Sequence, residues 1–502
     1  MTVLSESLAG AARRFPDWPA IVHDGMTITY GELDVLTARV AAGLAKEGVR
    51  AGDVVALVLP SGPDYVVAYL ALSRIGAITT GVSPRAAAPE RAKVLVQAAP
   101  QLVLATEDLE EGVPPGGAVL RCLPATSAAD LWAGLQLDAA PPPVPTADPD
   151  QIETIVFTSG TTGTPKGAVF TSRQIAAITE MDTGGRWAVG GAQVVATGLP
   201  HIGFMTKLAG NIRQGFAMHV LTRWRAAEVL AIIARERIPI VGGVAAQIAL
   251  LLRVPDFDRY DLSAVQGLIV GAGPSPPAIV REARERFGAG YSIRYSSTES
   301  GGLGTLTAFD APDEEALQTV GRPRPGTDLA IRATGGGRAL APGEVGEVCL
   351  RSPAVMARYW RDPEATAAAL DADGWLHTGD LGWVGEDGLL RLTGRIKEMY
   401  IRGGYNVYPL EVEGVLLDHP DVASVAVVPR PSAVMGEIGV AVIVPRDRTA
   451  PPTLDDLRRF GAERLAAYKL PEAIRVVDAI PLTGMDKIDR RTLVDRETRE
   501  AT

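Results

Sequence analysis

Apolar runs of strand length alternate with amphipathic stretches of helix length along most of the chain. Each helix-length stretch repeats apolar residues at the i, i+3, i+4 spacing of a helix with one buried face. The pairs of this kind are a strand at 54–59 with a helix at 64–75, a helix at 226–237 with a strand at 238–244, and a strand at 267–273 with a helix at 276–287. A further strand is predicted at 291–297. Such alternation is typical of parallel sheets covered by helices, so the predicted fold class is α/β.

The pattern changes near residue 395, where shorter strands replace the regular alternation. The elements predicted around this point are a strand at 388–393, short strands at 423–428 and 440–444, and a helix at 454–468. We therefore predict a large N-terminal domain over residues 1–394, made of helix-covered parallel sheets plus a β-subdomain. Residues 398–502 are predicted to form a small C-terminal α+β domain, because about a hundred residues suffice for a domain.

Composition narrows the class of protein. Of the 502 residues, 47% are hydrophobic and 22% are charged, which is typical of a globular chain. The net charge of -10 is spread without long blocks of one sign, so no nucleic-acid partner is expected. Cys122 and Cys349 lie far apart and predict neither a disulfide framework nor a zinc site. Because neither a leader-like start nor a long apolar run occurs, we expect a cytoplasmic protein without membrane insertion.

A loop rich in glycine and hydroxyl groups follows a predicted strand at 154–157, which is preceded by a proline-rich connector at 139–149. Glycines let the backbone turn its N–H groups inward, hydroxyls add donors, and Lys166 supplies a mobile positive charge. Pro165 stands where a Walker loop has its second glycine, so the loop is of another kind. We predict that it binds phosphates through Thr158, Ser159, Gly160, Thr161, Thr162, Gly163 and Lys166.

Four further motifs follow the loop. They are Tyr-Ser-Ser-Thr-Glu at 295–299, Trp-Leu-His-Thr-Gly-Asp at 375–380, Gly-Arg-Ile-Lys-Glu at 394–398 with Gly-Gly-Tyr-Asn at 403–406, and Pro-Leu-Thr-Gly-Met-Asp-Lys-Ile-Asp-Arg at 481–490. In this order the set resembles the adenylate-forming superfamily of acyl-CoA synthetases, firefly luciferase and peptide-synthetase adenylation domains, over nearly the whole chain. The resemblance implies an ATP- and Mg²⁺-dependent enzyme that first converts a carboxylic acid into an acyl adenylate.

The resemblance also assigns the nucleotide site. Tyr295 matches the aromatic residue that stacks on adenine, and Asp380 and Arg395 match residues that hold the ribose. Thr298 would donate to the α-phosphate, and Glu299 would hold Mg²⁺, a cation that prefers oxygen ligands. The remaining nucleotide-binding positions are Ser296 and the turn Gly271, Ala272 and Gly273, where missing side chains let the purine approach the backbone.

In such enzymes a lysine of the mobile C-terminal lid domain contacts the reacting carboxylate and α-phosphate. Lys487 corresponds to this lysine and is the predicted catalytic residue of the first step, together with Thr298, Glu299 and Lys166. The chain departs from the family at Asp486, where glycine usually precedes the lysine. A carboxylate at this position would either weaken the positive field of the lysine or point to solvent.

The resemblance further implies that the lid turns between two half-reactions. Its hinge would lie at 395–397, with Lys397 as the residue whose backbone torsions change. After pyrophosphate leaves, the turned lid would present Gly403 and Gly404, whose missing side chains leave a tunnel for the pantetheine arm of CoA.

The acyl pocket is the part of the site with the most alternatives. His201 is predicted to line it, and the alternative is a histidine that starts a helix in the wall. Lys207 could reach a second polar group of the acid, whereas the alternative is a lysine on a helix surface. Small residues around 243 leave room, which favours an apolar fatty, alicyclic or aryl acid. The predicted pocket residues are His201, Phe204, Met205, Lys207, Gly243 and Val244.

The motifs around the glycine pair favour CoA as the acceptor. One alternative is a free-standing adenylation enzyme that loads a carrier protein, and another is a binding protein without turnover. A homodimer is compatible with the resemblance. The small-molecule partners expected are therefore a carboxylic acid, ATP and CoA.

Overall fold

The structure, a computed structural model, describes residues 2–114, 118–122, 125–139, 146–158, 165–273, 275–335, 337–482 and 488–500. Within these ranges the strands form five sheets, here called sheets I to V, with strands and helices numbered in chain order. Part of the predicted connector, residues 140–145, lies outside the described residues.

Sheet I carries the predicted phosphate loop. Its strands in spatial order are β18 (Arg358–Tyr359), β8 (Gly167–Thr171), β7 (Ile152–Phe157), β4 (Ile78–Gly81), β3 (Val54–Val58), β5 (Leu102–Ala105) and β6 (Ala118–Arg121). The pairs from β7 to β6 are parallel, and β7 and β8 form an antiparallel hairpin. Strands β3 and β5 are wholly apolar because both faces of the sheet are covered, whereas β4 and β7 also bury Thr79, Thr80, Glu153 and Thr154.

Sheets II, III and IV complete the N-terminal domain. Sheet II contains β11 (Ile240–Val244), β12 (Gly267–Gly271), β13 (Gly290–Tyr295), β14 (Thr305–Leu306) and β15 (Arg322–Pro323). Sheet III contains β2 (Met26–Thr29), β1 (Pro19–His23), β10 (Ala217–His219) and β9 (Ala192–Val194). Sheet IV contains β16 (Asp328–Arg332), β17 (Gly346–Arg351), β19 (Leu376–Val384) and β20 (Leu390–Arg395). The first three strands of sheet II are parallel, whereas sheet IV is antiparallel. Sheet IV is a β-subdomain of the predicted kind.

Sheet V belongs to the C-terminal part of the chain. It contains β22 (Tyr405–Val407), β21 (Tyr400–Arg402), β24 (Gly436–Pro445), β23 (Val422–Ser432) and β25 (Ala473–Val476). Its strands and helices enclose their own apolar cores.

The helices cover these sheets. They are α1 (Val3–Arg14), α2 (Tyr30–Lys46), α3 (Pro63–Ile75), α4 (Ala88–Ala98), α5 (Ser172–Thr183), α6 (Ile202–Met205), α7 (Leu208–Gln214), α8 (Ala226–Arg235), α9 (Ala245–Leu252), α10 (Pro277–Phe287), α11 (Asp313–Gln318), α12 (Pro363–Ala369), α13 (Pro409–Leu417), α14 (Leu454–Ala462) and α15 (Arg490–Glu500), with short 3₁₀ turns at Glu107–Leu109, Phe257–Arg259 and Ala467–Lys469. Helix α3 shows how local sequence sets the ends, since Pro63 begins it and Gly76 ends it at φ +82°.

Two large cores hold the N-terminal domain together. One packs α1, α2, α3, α5 and α7 against sheet I, and the other packs α8, α9 and α10 against sheet II. The predicted α/β class, with a large N-terminal domain and a smaller C-terminal domain, is confirmed. The boundaries at 394 and 398 stay a prediction.

Several predicted elements differ from the structure in extent. The helix predicted at 454–468 ends at Ala462, because the chain then turns back to bury Leu465 and Leu470 against Leu457. The two short lid strands are longer than predicted and form one hairpin, β23 with β24. The strand predicted at 291–297 ends at Tyr295.

Candidate functional site

The phosphate loop connects two paired strands. Phe157 at the end of β7 lies opposite Gly167 at the start of β8, and the backbone N–H of Thr158 donates to the carbonyl of Lys166 at 2.9 Å. The loop is thus closed at its base by main-chain hydrogen bonds. The predicted residues Ser159, Gly160, Thr161, Thr162 and Gly163 lie outside the described residues.

Lys166 and Glu299 are brought together by a residue that the sequence analysis missed, Tyr359. The ammonium of Lys166 lies 5.1 Å from the centre of the Tyr359 ring, a cation–π distance. The hydroxyl of the same tyrosine donates to Oε1 of Glu299 at 2.7 Å. Burial, and then the charge of Glu299, raise the pKa of Tyr359, so its hydroxyl keeps its proton and remains a donor.

A tight turn after β13 holds Glu299 in place. Ser297 and Ser300 exchange backbone-to-hydroxyl hydrogen bonds of 2.9 and 3.1 Å, and the carbonyl of Glu299 accepts from the backbone of Met356 at 2.8 Å. Gly301 has φ +69°, and a Cβ there would lie 2.4 Å from the carbonyl oxygen of Ala354. Only glycine fits this position. Ser296 and Thr298 lie half-buried on the same turn.

The donor set around Glu299 fits Mg²⁺. Oε1 of Glu299 accepts the hydrogen bond from the Tyr359 hydroxyl, so Oε2 is left to bind a hard cation. Mg²⁺ is commonly bound through one or two carboxylates, with the rest of its ligands from water and substrate phosphates. A single carboxylate beside a phosphate-binding loop meets that requirement.

Asp380 lies between the two residues predicted to share the nucleotide with it. The Tyr295 hydroxyl donates to Oδ2 at 2.7 Å, and Nε of Arg395 donates to Oδ1 at 2.7 Å. Burial lowers the pKa of Arg395, but the adjacent Asp380 charge outweighs this and the net pKa is raised. The Asp380 side chain is 8% exposed and that of Arg395 is 44% exposed. The guanidinium therefore keeps donors open to a ligand.

Asp380 is in turn positioned by a second residue missed in the sequence, Glu347. One oxygen of Glu347 accepts from the backbone of Gly379 at 3.0 Å, and the other pairs with Nδ1 of His377 at 2.8 Å. The Cys349 sulfur lies 3.6 Å from the same nitrogen. Both carboxylate oxygens thus fix the turn that precedes Asp380.

The turn predicted to bind adenine and the predicted pocket wall lie at one edge of sheet II. Parallel strands β11 and β12 end in register, with Val244 opposite Gly271. Gly243 is half-buried beside them, and Gly273 is exposed. Ala272 has φ +68°, in the left-handed region, which residues other than glycine adopt only where the surrounding structure holds them there. The edge therefore carries an irregular turn next to small side chains.

His201, Phe204 and Met205 take different places. His201 is the N-cap of α6, where Nδ1 accepts from the backbone of Gly203 at 3.1 Å, which is the geometry of the helix-start alternative. Phe204 and Met205 are only 1% and 2% exposed and lie in the core against Tyr65 and Tyr69. Core side chains surround both residues, so their packing does not support a role in the pocket.

Lys207 is buried, which excludes the alternative of a lysine on a helix surface. Its ammonium lies 2.8 Å from Oδ2 of Asp182, at the end of α5. Arg324 holds the other oxygen of Asp182 at 2.9 Å. Burial lowers the pKa of Lys207 to about 8, although the charge of Asp182 opposes this shift.

Gly403 and Gly404 form the two-residue turn between β21 and β22. Both have positive φ, +55° and +87°, as a type I′ hairpin turn requires. They lie exposed at the tip of this hairpin. A role in a CoA tunnel stays a prediction.

The predicted hinge lies between two anchors. Ile396 donates its N–H to the carbonyl of Gly379 in sheet IV at 2.9 Å, and Glu398 forms an ion pair of 3.0 Å with Arg490 of α15. Lys397, between them, is exposed in a turn. Lys487 lies outside the described residues, although its flanks meet where Leu482 pairs with Ile488.

None of the helices in the described part of the chain combines the length and apolar character that a bilayer crossing requires.

Comparison with known families and proteins gives consistent matches. Residues 8–360 match the family model described as AMP-binding enzyme, and residues 411–487 match the AMP-binding enzyme C-terminal domain. The chain is 31% identical to the fatty acid–[acyl-carrier-protein] ligase ScoC of Streptomyces coeruleorubidus, over 99% of this chain and 96% of that protein. It is 33% identical to the feruloyl-CoA synthase of an Amycolatopsis species, over 95% of each.

A solved structure agrees with these matches. The o-succinylbenzoate CoA synthetase (MenE) from Bacillus subtilis, in complex with the acyl-adenylate intermediate OSB-AMP, superposes with a TM-score of 0.84 and 27% identity over 97% of each chain. The similarity thus extends over both domains.

Proposed function

The chain belongs to the AMP-binding enzyme family as an AMP-forming acyl-CoA synthetase, and we propose that it joins an apolar fatty, alicyclic or aryl carboxylic acid to CoA in two steps. In the first, a carboxylate oxygen attacks the α-phosphorus of ATP and pyrophosphate leaves. In the second, the CoA sulfur attacks the acyl carbon, the proton of the thiol is lost, and AMP leaves. A poor electrophile is thereby converted into an activated one.

The observation that carries this proposal is the chain of contacts from Lys166 through Tyr359 to Glu299. It links the base of the phosphate loop to the only carboxylate of the Tyr-Ser-Ser-Thr-Glu motif. When bound at Glu299, Mg²⁺ would neutralise charge on the phosphates. Lys166 would add a second positive charge on the departing pyrophosphate side.

The remaining residues bind and orient. Asp380 would accept from the ribose hydroxyls, while Arg395 donates and Tyr295 packs against the purine. The small side chains of Gly243 and Val244 would border the acid. Lys487 would reach the reacting oxygens from the lid, which then turns about Lys397.

CoA is the proposed acceptor because curated relatives include CoA ligases for aryl and fatty acids, such as the feruloyl-CoA synthase. Transfer to a carrier protein is the second candidate. It is favoured by the similarity to ScoC, which is a fatty acid–[acyl-carrier-protein] ligase.

A panel of fatty, aryl, alicyclic and dicarboxylic acids tests the proposal. We expect acid-dependent release of pyrophosphate, followed by thioester formation with CoA but not with a purified carrier protein. Lys487→Ala should reduce adenylation by roughly a hundredfold or more, the effect of losing a donor aimed at transition-state charge. It should leave thioester formation from supplied acyl adenylate largely intact.

Three results would argue against this assignment. If carrier protein were acylated in preference to CoA, the second candidate would hold. If no acid released pyrophosphate, the chain would be a binding protein without turnover. Equal loss of both half-reactions in Lys487→Ala would contradict the division of roles in the lid.

A further inference from the structure

Arg294 is a half-buried cation whose buried Nε has no hydrogen-bond partner among the residues that the structure describes. It is the residue of β13 directly before Tyr295. Its Nε is inaccessible to solvent and donates no hydrogen bond, and across the described ranges its side chain forms no ion pair. Burial lowers the pKa of this guanidinium. A buried donor left unsatisfied costs about 1–3 kcal/mol, more when it is charged.

The charges around Arg294 do not balance. Lys207 and Arg324 occupy the two oxygens of Asp182 at 2.8 and 2.9 Å. Arg294 acts electrostatically on the same carboxylate and on Lys207. The group of Asp182, Lys207, Arg294 and Arg324 thus combines one negative charge with three positive ones. We call it the cation cluster.

The cation cluster adjoins the proposed site on two sides. A Cβ built on Gly302, in the turn that holds Thr298 and Glu299, would lie 3.5 Å from Cε of Lys207. A Cβ built on Gly271, at the start of the adenine-binding turn, would lie 3.6 Å from Cβ of Arg294. Lys207 and the base of the Arg294 side chain therefore lie beside the two turns that the proposed site uses.

A purely structural role does not account for Arg294. Lys207 and Arg324 by themselves tie α5 to the chain before α7 and to the segment after β15, and they use both oxygens of Asp182. A third cation adds repulsion to that arrangement without adding a hydrogen bond. What the cluster lacks is an anion with free acceptors.

We propose that Arg294 and Lys207 form an anion subsite for the acid substrate, so that the preferred acid carries a second anionic oxygen group, as an α,ω-dicarboxylic acid does. The guanidinium fork matches a carboxylate in a bidentate manner, and Lys207 adds a point charge. The body of the acid between its two charged ends remains apolar. This inference rests on the proposed function and specifies its substrate class.

The wild-type protein provides the first test. ATP–pyrophosphate exchange is measured with a homologous series of straight-chain monocarboxylic acids and with dicarboxylic acids of the same lengths. We expect at least one dicarboxylic acid to exceed its matched monocarboxylic acid in kcat/KM by about tenfold or more, the size expected of a charged hydrogen bond.

Substitutions of Arg294 test whether this residue causes the preference for the dicarboxylic acid. Arg294→Gln should raise KM for the dicarboxylic acid by about tenfold and leave KM for the monocarboxylic acid unchanged. Arg294→Lys, which keeps the charge, should recover part of the difference. Arg322→Gln, an exposed arginine of sheet II that pairs with Glu315, is the matched control and should change neither KM. Thermal melting of each variant checks that the fold is intact.

The pH dependence gives an independent measure. The group that loses its charge first is Lys207, with a pKa of about 8; the groups facing it are Asp182, Arg294 and Arg324. Below that pH the ammonium is charged, so affinity for the dicarboxylic acid should be retained there and fall above it. Affinity for the monocarboxylic acid should not follow this profile.

The outcomes separate the two levels of inference. If monocarboxylic acids are activated as well as their dicarboxylic counterparts, and Arg294→Gln alters both equally, the anion subsite is wrong while the ligase activity stands. If neither series supports pyrophosphate exchange in the wild-type protein, the proposed function itself fails.

Discussion

Tyr359 shows how one side chain can organise two charged groups of opposite sign. Its ring face is turned to Lys166 and its hydroxyl to Glu299. Strand β18 pairs with β8, so the ring is fixed by the sheet that carries the phosphate loop. The geometry keeps the cation and the carboxylate apart and available, whereas a direct ion pair would neutralise both.

Tyr359→Phe tests this arrangement. The variant keeps the ring but loses the hydrogen bond to Glu299, so we expect kcat/KM for adenylation to fall about tenfold. The Mg²⁺ concentration for half-maximal rate should rise, because Glu299 would no longer be held in position. Thioester formation from supplied acyl adenylate should not change.

Tyr30→Phe is the matched control, since Tyr30 is also buried and its hydroxyl donates to a backbone carbonyl at 2.9 Å, that of Phe216. It should leave the Mg²⁺ dependence unaltered. An unchanged Mg²⁺ dependence in Tyr359→Phe would contradict the positioning role.

The residues found by motif and those missed differ in a physical way. Tyr295, Asp380 and Arg395 belong to runs with recognisable spacing, and the structure brings them within hydrogen-bond distance. Glu347 and Tyr359 act on motif residues through tertiary contacts, which no spacing of residues in the sequence predicts. The burial of Lys207 was not predictable from the sequence either, because its ion-pair partner Asp182 lies 25 residues earlier, on helix α5.

At the scale of elements, alternation of strands and helices was predictable and their lengths were less so. The parallel strands β3 and β12 are continuous runs of apolar residues and glycine, which a single sequence displays directly. The end of α14 was not predictable from periodicity, because it depends on Leu465 and Leu470 folding back onto the lid core. Tertiary packing set this boundary.

The turn between β21 and β22 carries a prediction of its own. In Gly404→Ala a Cβ would meet open space, yet φ +87° would be unfavourable for alanine. We expect about 1 kcal/mol of strain in the hairpin. Thioester formation should fall while pyrophosphate exchange with the acid is kept, if the hairpin serves the second step.

Gly414→Ala is the control, because Gly414 lies within helix α13 of the same domain and also has open space around a built Cβ. There alanine should be tolerated or stabilising. Equal loss of both half-reactions in Gly404→Ala would mean that the turn matters only for folding of the lid.

At the scale of the whole molecule, the proposed pivot between the two domains is short. Ile396 is bonded to Gly379 of sheet IV, the N–H groups of Glu398 and Met399 donate to the carbonyl of Arg395 at the end of β20, and Glu398 pairs with Arg490 of the lid. Arg490 also binds Glu413 through two hydrogen bonds of 2.6 and 2.7 Å. Rotation of the lid would therefore be concentrated at Lys397.

Lys397→Pro should hinder that rotation, because proline fixes φ near −65°. We expect the overall rate of thioester formation to fall about tenfold or more while one half-reaction, measured separately, is kept. Lys397→Ala, which keeps the backbone free, should behave like the wild type in both steps. Wild-type rates in Lys397→Pro would place the pivot elsewhere.

The anchoring of Glu398 by Arg490 also bears on the order in which substrates come and go. Arg490 ties Glu398, at the start of the lid, to Glu413 of α13, and the hairpin with Gly403 and the flanks of Lys487 lie on the same domain. If the hairpin serves thioester formation and Lys487 serves adenylation, this domain cannot present both to the acyl group at once. Pyrophosphate would then depart before the thiol enters, and the bound acyl adenylate would be retained while the lid turns. A slow changeover would appear as a burst of pyrophosphate ahead of steady thioester production.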